Sequence, residues 1–149
     1  MTAPLRLGVA VGLVALAGCA SVGRSSTAPP PSRPALDAHL AAIRAHDLDA
    51  FVPTLTTRDS LVLVFPDGTL VRSREETVEI HRQWFADSTW TIAFEVLDVT
   101  EADGMAIATL RYTLTDDTPR SGRQALLSVA VAWEDNAWRL VHDQNTALP

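Results

Sequence analysis

The chain has 149 residues, with 12 basic and 18 acidic side chains, a formal net charge of −6 at pH 7 and one cysteine. A lone cysteine excludes an intramolecular disulfide, so the fold must rest on its core alone. All basic residues are Arg and none gather into a stripe, which argues against a nucleic-acid partner.

Residues 1–18 read as an export signal. Arg6 supplies a positive start, and Leu7–Ala17 is an apolar run well short of the ~20 residues a spanning helix needs. Leu16-Ala17-Gly18-Cys19 resembles the lipobox of bacterial lipoproteins. That resemblance implies cleavage before Cys19, palmitate-type acylation of its sulfur and amine, and anchoring in a lipid bilayer. Two or more acyl chains anchor stably where one does not. Ala20, rather than Asp, follows the cysteine; by the same resemblance this favours the outer membrane, facing the periplasm, in a two-membrane bacterium. Residues 19–35 form a Pro- and Ser-rich tether with too little apolar surface to order itself. Residues 36–149 are of a length suited to one domain.

Within that domain, Leu36, Leu40 and Ile43 recur at helical spacing and predict a helix over Leu36–His46. Asp47 can cap a short second helix carrying Phe51 and Leu55, which Pro53 must kink or end. Ser73-Arg74-Glu75-Glu76 has the form of a capping box, opening a third helix through Thr77, Ile80, His81 and Trp84 to about Asp87-Ser88. The remainder alternates with period two. Leu61–Phe65 and Thr69–Arg72 flank a Pro66-Asp67-Gly68 turn. Long strands follow over Thr89–Thr100, Met105–Thr115, Arg123–Glu134 and Ala137–Asn145, with turns at Asp103-Gly104 and Asp135-Asn136 and a loop at Asp116–Gly122. Helices first, then antiparallel strands, make an α+β fold.

The late strands are apolar on both faces. Ala125, Leu127, Val129, Val131 and Trp133 oppose Leu126, Ala130 and Ala132, and Ala93 and Leu97 lie behind Trp90, Ile92, Phe94 and Val96. Helices on one side leave such a sheet with a second apolar face, and a second copy of the same sheet would cover it. A homodimer is the expectation.

Three segments in this order resemble one family. His46-Asp47-Leu48-Asp49-Ala50-Phe51 is similar to a helix-end pattern of the NTF2-like superfamily, and Phe65-Pro66-Asp67-Gly68 to its first hairpin. Trp138-Arg139-Leu140-Val141-His142-Asp143-Gln144-Asn145-Thr146 resembles the closing strand of its SnoaL-like, DUF4440-type members. The resemblance implies a cystatin-like cone of curved antiparallel sheet wrapped on N-terminal helices, with a pocket inside. Ketosteroid isomerase shares that architecture, but its base falls on Phe65, its oxyanion tyrosine on His39 and its neutral acid near Val129. Phe65 and Val129 can serve neither role, and His39 could at best donate with no partner to abstract the proton, so that reaction is excluded by chemistry. A second histidine of the family's closing strand is Gln144 here.

His39, His46, His81 and His142 lack metal-ligand spacing, and no phosphate-cradling glycine loop or nucleophile elbow occurs, so no cofactor or metal is expected. Trp84 on the third helix, Trp90 and Tyr112 on the sheet, and His142 and Gln144 on the last strand are the expected ligand-binding residues, and none is expected to be catalytic. The functional expectation is a membrane-anchored lipoprotein whose domain binds a small hydrophobic molecule without transforming it. A SnoaL-like enzyme of cyclase, isomerase or hydrolase type, or a non-catalytic assembly module, are the alternatives.

Overall fold

The computed structural model describes residues 28–149; the signal segment, Cys19 and most of the tether lie outside the described residues. Helix α1 (Arg33–Arg44) begins earlier than its apolar spacing indicates, because Pro34 is accommodated in the first turn, where no N–H is needed. The left-handed backbone of His46 ends that segment, at φ 54°. Helix α2 (Leu48–Phe51) is capped by Asp47, whose carboxylate accepts from the Ala50 N–H at 2.9 Å, and Pro53 turns it into a single 3-10 turn. Helix α3 (Arg74–Ala86) opens on Ser73, whose hydroxyl accepts from the Glu76 N–H at 3.3 Å.

Six strands form one sheet: β1 (Val62–Val64), β2 (Leu70–Val71), β3 (Thr91–Ala102), β4 (Met105–Thr115), β5 (Arg123–Glu134) and β6 (Ala137–Ala147), in the order β2-β1-β6-β5-β4-β3. Pairing is antiparallel except between β1 and β6, which run parallel. An all-antiparallel sheet was the expectation. The parallel pair arises because α3 separates the small hairpin from β3–β6, so β1 joins the meander at its far edge beside the last strand.

One sheet face is closed by the helices. Leu36, Leu40, Ala42 and Ile43 of α1 share a buried cluster with Ala106, Ala108 and Leu110 of β4 and with Leu127, Val129 and Val131 of β5. Leu110 is fully buried, as is Leu55, which bridges to Leu140 of β6. The other face keeps large apolar side chains in solvent: Leu97, Met105 and Ile107 are exposed, Ile107 by 52%.

Two irregularities decide what faces inward. Leu97 is an extra residue of β3 between the Val96–Leu110 and Asp98–Thr109 pairs. Val141 is an extra residue of β6 between Val131–Leu140 and Ala130–His142. Each bulge inserts one unpaired residue and reverses the alternation beyond it. In β6, Trp138 and Leu140 pack into the core before Val141, whereas beyond it Asp143 and Asn145 take the inward positions.

The described end of the tether is tied to the sheet. The Trp138 indole donates to the Pro30 carbonyl at 2.7 Å. The Ser32 N–H donates to the Glu101 carboxylate at 2.7 Å, and its hydroxyl bonds the same oxygen. These contacts place the start of α1 beside the hairpin ends of β3 and β6, while Ile43, near its other end, reaches the cavity described next.

Candidate functional site

A cavity of about 570 Å³ opens between α3, the β1–β2 hairpin and the inner face of the sheet. That is the size of a small-molecule site. Ile80, His81, Gln83 and Trp84 come from α3, at the i, i+3, i+4 spacing that a helix presents to one side, and Asp87 is the residue that ends it. Leu63, Phe65 and Pro66 come from the hairpin; Ile92 and Phe94 begin β3; Tyr112 and Leu114 end β4. Arg123 and Leu127 open β5, and Asp143 and Asn145 lie past the bulge of β6. The wall is therefore mostly apolar and aromatic, with a few polar groups.

Asp143 dominates the electrostatics. Burial pushes its carboxyl up to about 7, against a lesser downward pull from the Asn145 amide. That amide donates to one carboxylate oxygen at 2.6 Å and also to the Val64 carbonyl at 3.2 Å, which fixes its orientation. None of the ion pairs among the described residues includes Asp143. Tyr112 stands within its field: burial first, and then the Asp143 charge, raise the phenol, while Arg123 opposes them. Arg123 itself is paired with Asp116 at 2.8 Å.

His81 is held neutral. Burial lowers it to about 4, although a hydrogen bond to the Thr77 carbonyl partly opposes the shift. That bond, 2.8 Å from Nδ1, makes Nδ1 the donor, so Nε2 is the bare nitrogen of the neutral ring. Behind it Phe51 stacks on His81 at 4.3 Å and meets His39 at 5.1 Å. His39 is lowered to about 3 by burial and by the nearby His81. Its Nδ1 lies 2.7 Å from the Thr54 hydroxyl, whose own proton goes to the Phe51 carbonyl. His39 is structural and lies off the cavity wall.

Of the expected ligand-binding residues, the structure brings Trp84 and Tyr112 to the cavity. Trp90 is 3% exposed and sits behind the wall. It stacks on Trp84 at 4.0 Å and meets His46 at a tilt of 32° and 3.8 Å, and its indole donates to the Trp84 carbonyl at 2.9 Å. It holds Trp84 in place. His142 and Gln144 do not reach the cavity. They pair with Ala130 and Ser128 on the outer face, the side that also carries Ile107 and Thr109. The assumption of unbroken alternation from Trp138 and Leu140 put them inside; the bulge at Val141 turns them out.

Asp143 and Asn145 are the residues that the sequence reading missed. From His142 to Thr146 the strand is polar on both faces, so hydropathy holds no mark of which face is inner. Asp143 pairs across the sheet with Val129, so a carboxyl stands one strand away from a position where the isomerase comparison found only an aliphatic side chain. Among the described residues, no group of three or more His, Cys, Asp or Glu is placed to hold a metal ion.

The family profile of the SnoaL-like domain matches residues 33–146. No curated protein matched the sequence. Among solved structures, similarity extends to a protein from Thiobacillus denitrificans provisionally named a calcium/calmodulin-dependent protein kinase type II association domain. The two are 19% identical with a TM-score of 0.71, over 82% of this chain and 98% of that one. An NTF2-like family protein of Streptomyces avermitilis, provisionally named a dehydratase, is 16% identical with a TM-score of 0.68, over 78% of this chain and 93% of that one. An LEH-like epoxide hydrolase of M. tuberculosis is 16% identical with a TM-score of 0.60, covering 77% and 76% of the two chains. These likenesses establish the fold. With the profile matched along nearly the whole domain, the chain belongs to the SnoaL-like family, and it shares its fold with NTF2-like proteins.

Proposed function

We propose that this protein is a lipid-anchored lipoprotein of the cell envelope whose SnoaL-like domain holds a small, mainly apolar molecule in the cone. The observation that carries the reading is an apolar cavity of about 570 Å³ containing a carboxyl, Asp143, that no side-chain cation neutralises among the described ion pairs. Trp84 and Tyr112 supply flat walls, and Asp143 and Asn145 supply the polar handle. Native mass spectrometry of the membrane-extracted protein tests it. A reproducible small-molecule adduct, lost when Leu127→Trp fills the cavity, is the expected result; an adduct-free protein from its native host counts against it.

The anchor and the assembly belong to the same proposal. Cys19→Ala is expected to leave a soluble or uncleaved precursor, since the thioether needs the sulfur; membrane fractionation at wild-type size contradicts it. The outer face, with Leu97, Met105 and Ile107 exposed, suits a homodimer. Sedimentation of wild type as a dimer and of Ile107→Asp as a monomer is the expected pattern.

One observation favours a second reading, proton-transfer catalysis on a small hydrophobic substrate. A carboxyl poised at about 7 exchanges a proton readily near neutral pH. The dehydratase and epoxide hydrolase names of the similar structures lie in this class. Ketosteroid isomerisation stays outside it, because Phe65 occupies the base position and cannot take a proton.

A further inference from the structure

We infer that the molecule held in the cavity is an apolar organic cation, an alkyl- or arylammonium, an inference that rests on the cavity being a ligand site. Four aromatic side chains, Phe65, Trp84, Phe94 and Tyr112, line the same space as the Asp143 carboxyl. Aromatic faces carry negative potential, so they attract a cation and do nothing for an anion. The carboxyl accepts a hydrogen bond from Asn145 on one oxygen, and the other oxygen has none from the described residues. A neutral ligand could accept or donate one hydrogen bond there, but it would leave the missing positive charge unsupplied. An ammonium supplies both the charge and the donor, and the aromatic walls receive its hydrocarbon part.

The charges facing the site point the same way. From α3 His81 is neutral, and Asp87 just past its end is acidic; from β4 comes the Tyr112 phenol; from β5 comes Arg123, which Asp116 already holds. Ile43 of α1, Leu63, Phe65 and Pro66 of the hairpin, and Ile92 and Phe94 of β3 bring no titratable group. A bound cation would thus face carboxylates and aromatic rings; of the guanidiniums nearby, Arg123 is held by Asp116 and Arg44 lies over the Phe94 ring at 5.9 Å, which leaves Phe65, Trp84 and Tyr112 as the rings without a cation of their own. Its presence would also favour the ionised form of Asp143, so its binding should strengthen as pH rises through about 7.

The test compares 1-adamantylamine, 1-adamantanol and adamantane-1-carboxylate, which share one hydrocarbon body. Each is titrated calorimetrically into the full chain in phosphatidylcholine nanodiscs, with empty nanodiscs subtracted. At pH 8 the amine is expected to bind about tenfold more tightly than the alcohol, and the carboxylate most weakly. The preference for the amine should fall below about threefold at pH 5.5, and likewise in Asp143→Asn at pH 8. The pH series on the unmodified chain keeps the test decisive should that variant fold poorly. An alcohol that binds as well as the amine at pH 8 overturns the cation inference and leaves the cavity reading standing. So does a preference that survives at pH 5.5. Binding of none of the three overturns both.

Discussion

The two ends of the cone are built from the same four long strands, yet one is closed and the other is hollow. At the closed end, Leu36 and Leu40 of α1 join Ala106 and Ala108 of β4, Val131, Trp138 and Leu140 in one buried cluster, and the tether is bonded to the rim at Trp138 and Glu101. Small side chains on the strand there belong to the same cluster as the helix. At the hollow end, the strands present Ile92, Phe94, Tyr112 and Leu114, and α3 faces them across a cavity. Larger inward side chains, a helix reached only after a hairpin, and a bulge in β6 together leave room for a ligand. Packing sets stability at one end and binding capacity at the other.

Truncations should separate the two ends first. Leu40→Ala at the closed end, where Leu40 is 2% exposed, is expected to cost about 2 to 5 kcal/mol in denaturant unfolding. Ile80→Ala on the cavity wall should cost about 1 kcal/mol or less, because space beside it already exists. Equal losses would mean that the hollow end collapses in solution.

Removing the charge should act in the opposite direction. Asp143→Asn takes an uncompensated carboxylate out of an apolar cavity, so at pH 8 it is expected to stabilise the fold by about 2 kcal/mol. A loss of stability would mean that Asp143 has a partner the described ion pairs do not contain.

The pH dependence follows from opposed shifts. His39 and His81 are lowered to about 3 and about 4, so the unfolded chain takes up their protons first, and the stability they confer at neutral pH is lost as pH falls below about 6.5. Asp143 is raised to about 7, so its contribution is present at low pH and is lost as pH rises through about 7. Between about pH 4.5 and 6 the two histidines outweigh the one carboxyl, and stability should rise with pH by about one proton's worth of slope. In Asp143→Asn the slope over that range should approach two protons. Unchanged slopes in urea titrations would contradict the assignment of the carboxyl to the cavity.

The most local effect belongs to the tether. Trp138→Phe keeps the ring in the core but removes the bond to the Pro30 carbonyl, and about 1 kcal/mol is the expected loss. Faster hydrogen exchange at the Ser32 and Arg33 amides, with the cavity end unchanged, would mark it as local.

How much of this was legible in the sequence differs between the two ends. The helix starts at Asp47 and Ser73 and the limits of β4 and β5 could be read directly, because capping side chains and alternating apolar residues are local signals. Trp84 and Tyr112 were also within reach, each lying on an element with a clear apolar face. The inward turn of Asp143 was not. It depends on one extra residue, Val141, whose effect appears only in the pairing of β6 with β5. His142 was the residue with familiar chemistry, and strict alternation assigned it the place that its neighbour holds.

The titration of the Asp143 carboxyl tests the account most directly. Carbon-detected NMR on the side-chain carboxyl, with Asp143→Asn to assign the signal, follows its chemical shift against pH. A midpoint at about 7, falling when a cationic ligand is added, is the result expected of an uncompensated acid inside the cavity. A midpoint near 3.8, the ordinary value, would place Asp143 in water and contradict its role as the uncompensated acid of the cavity.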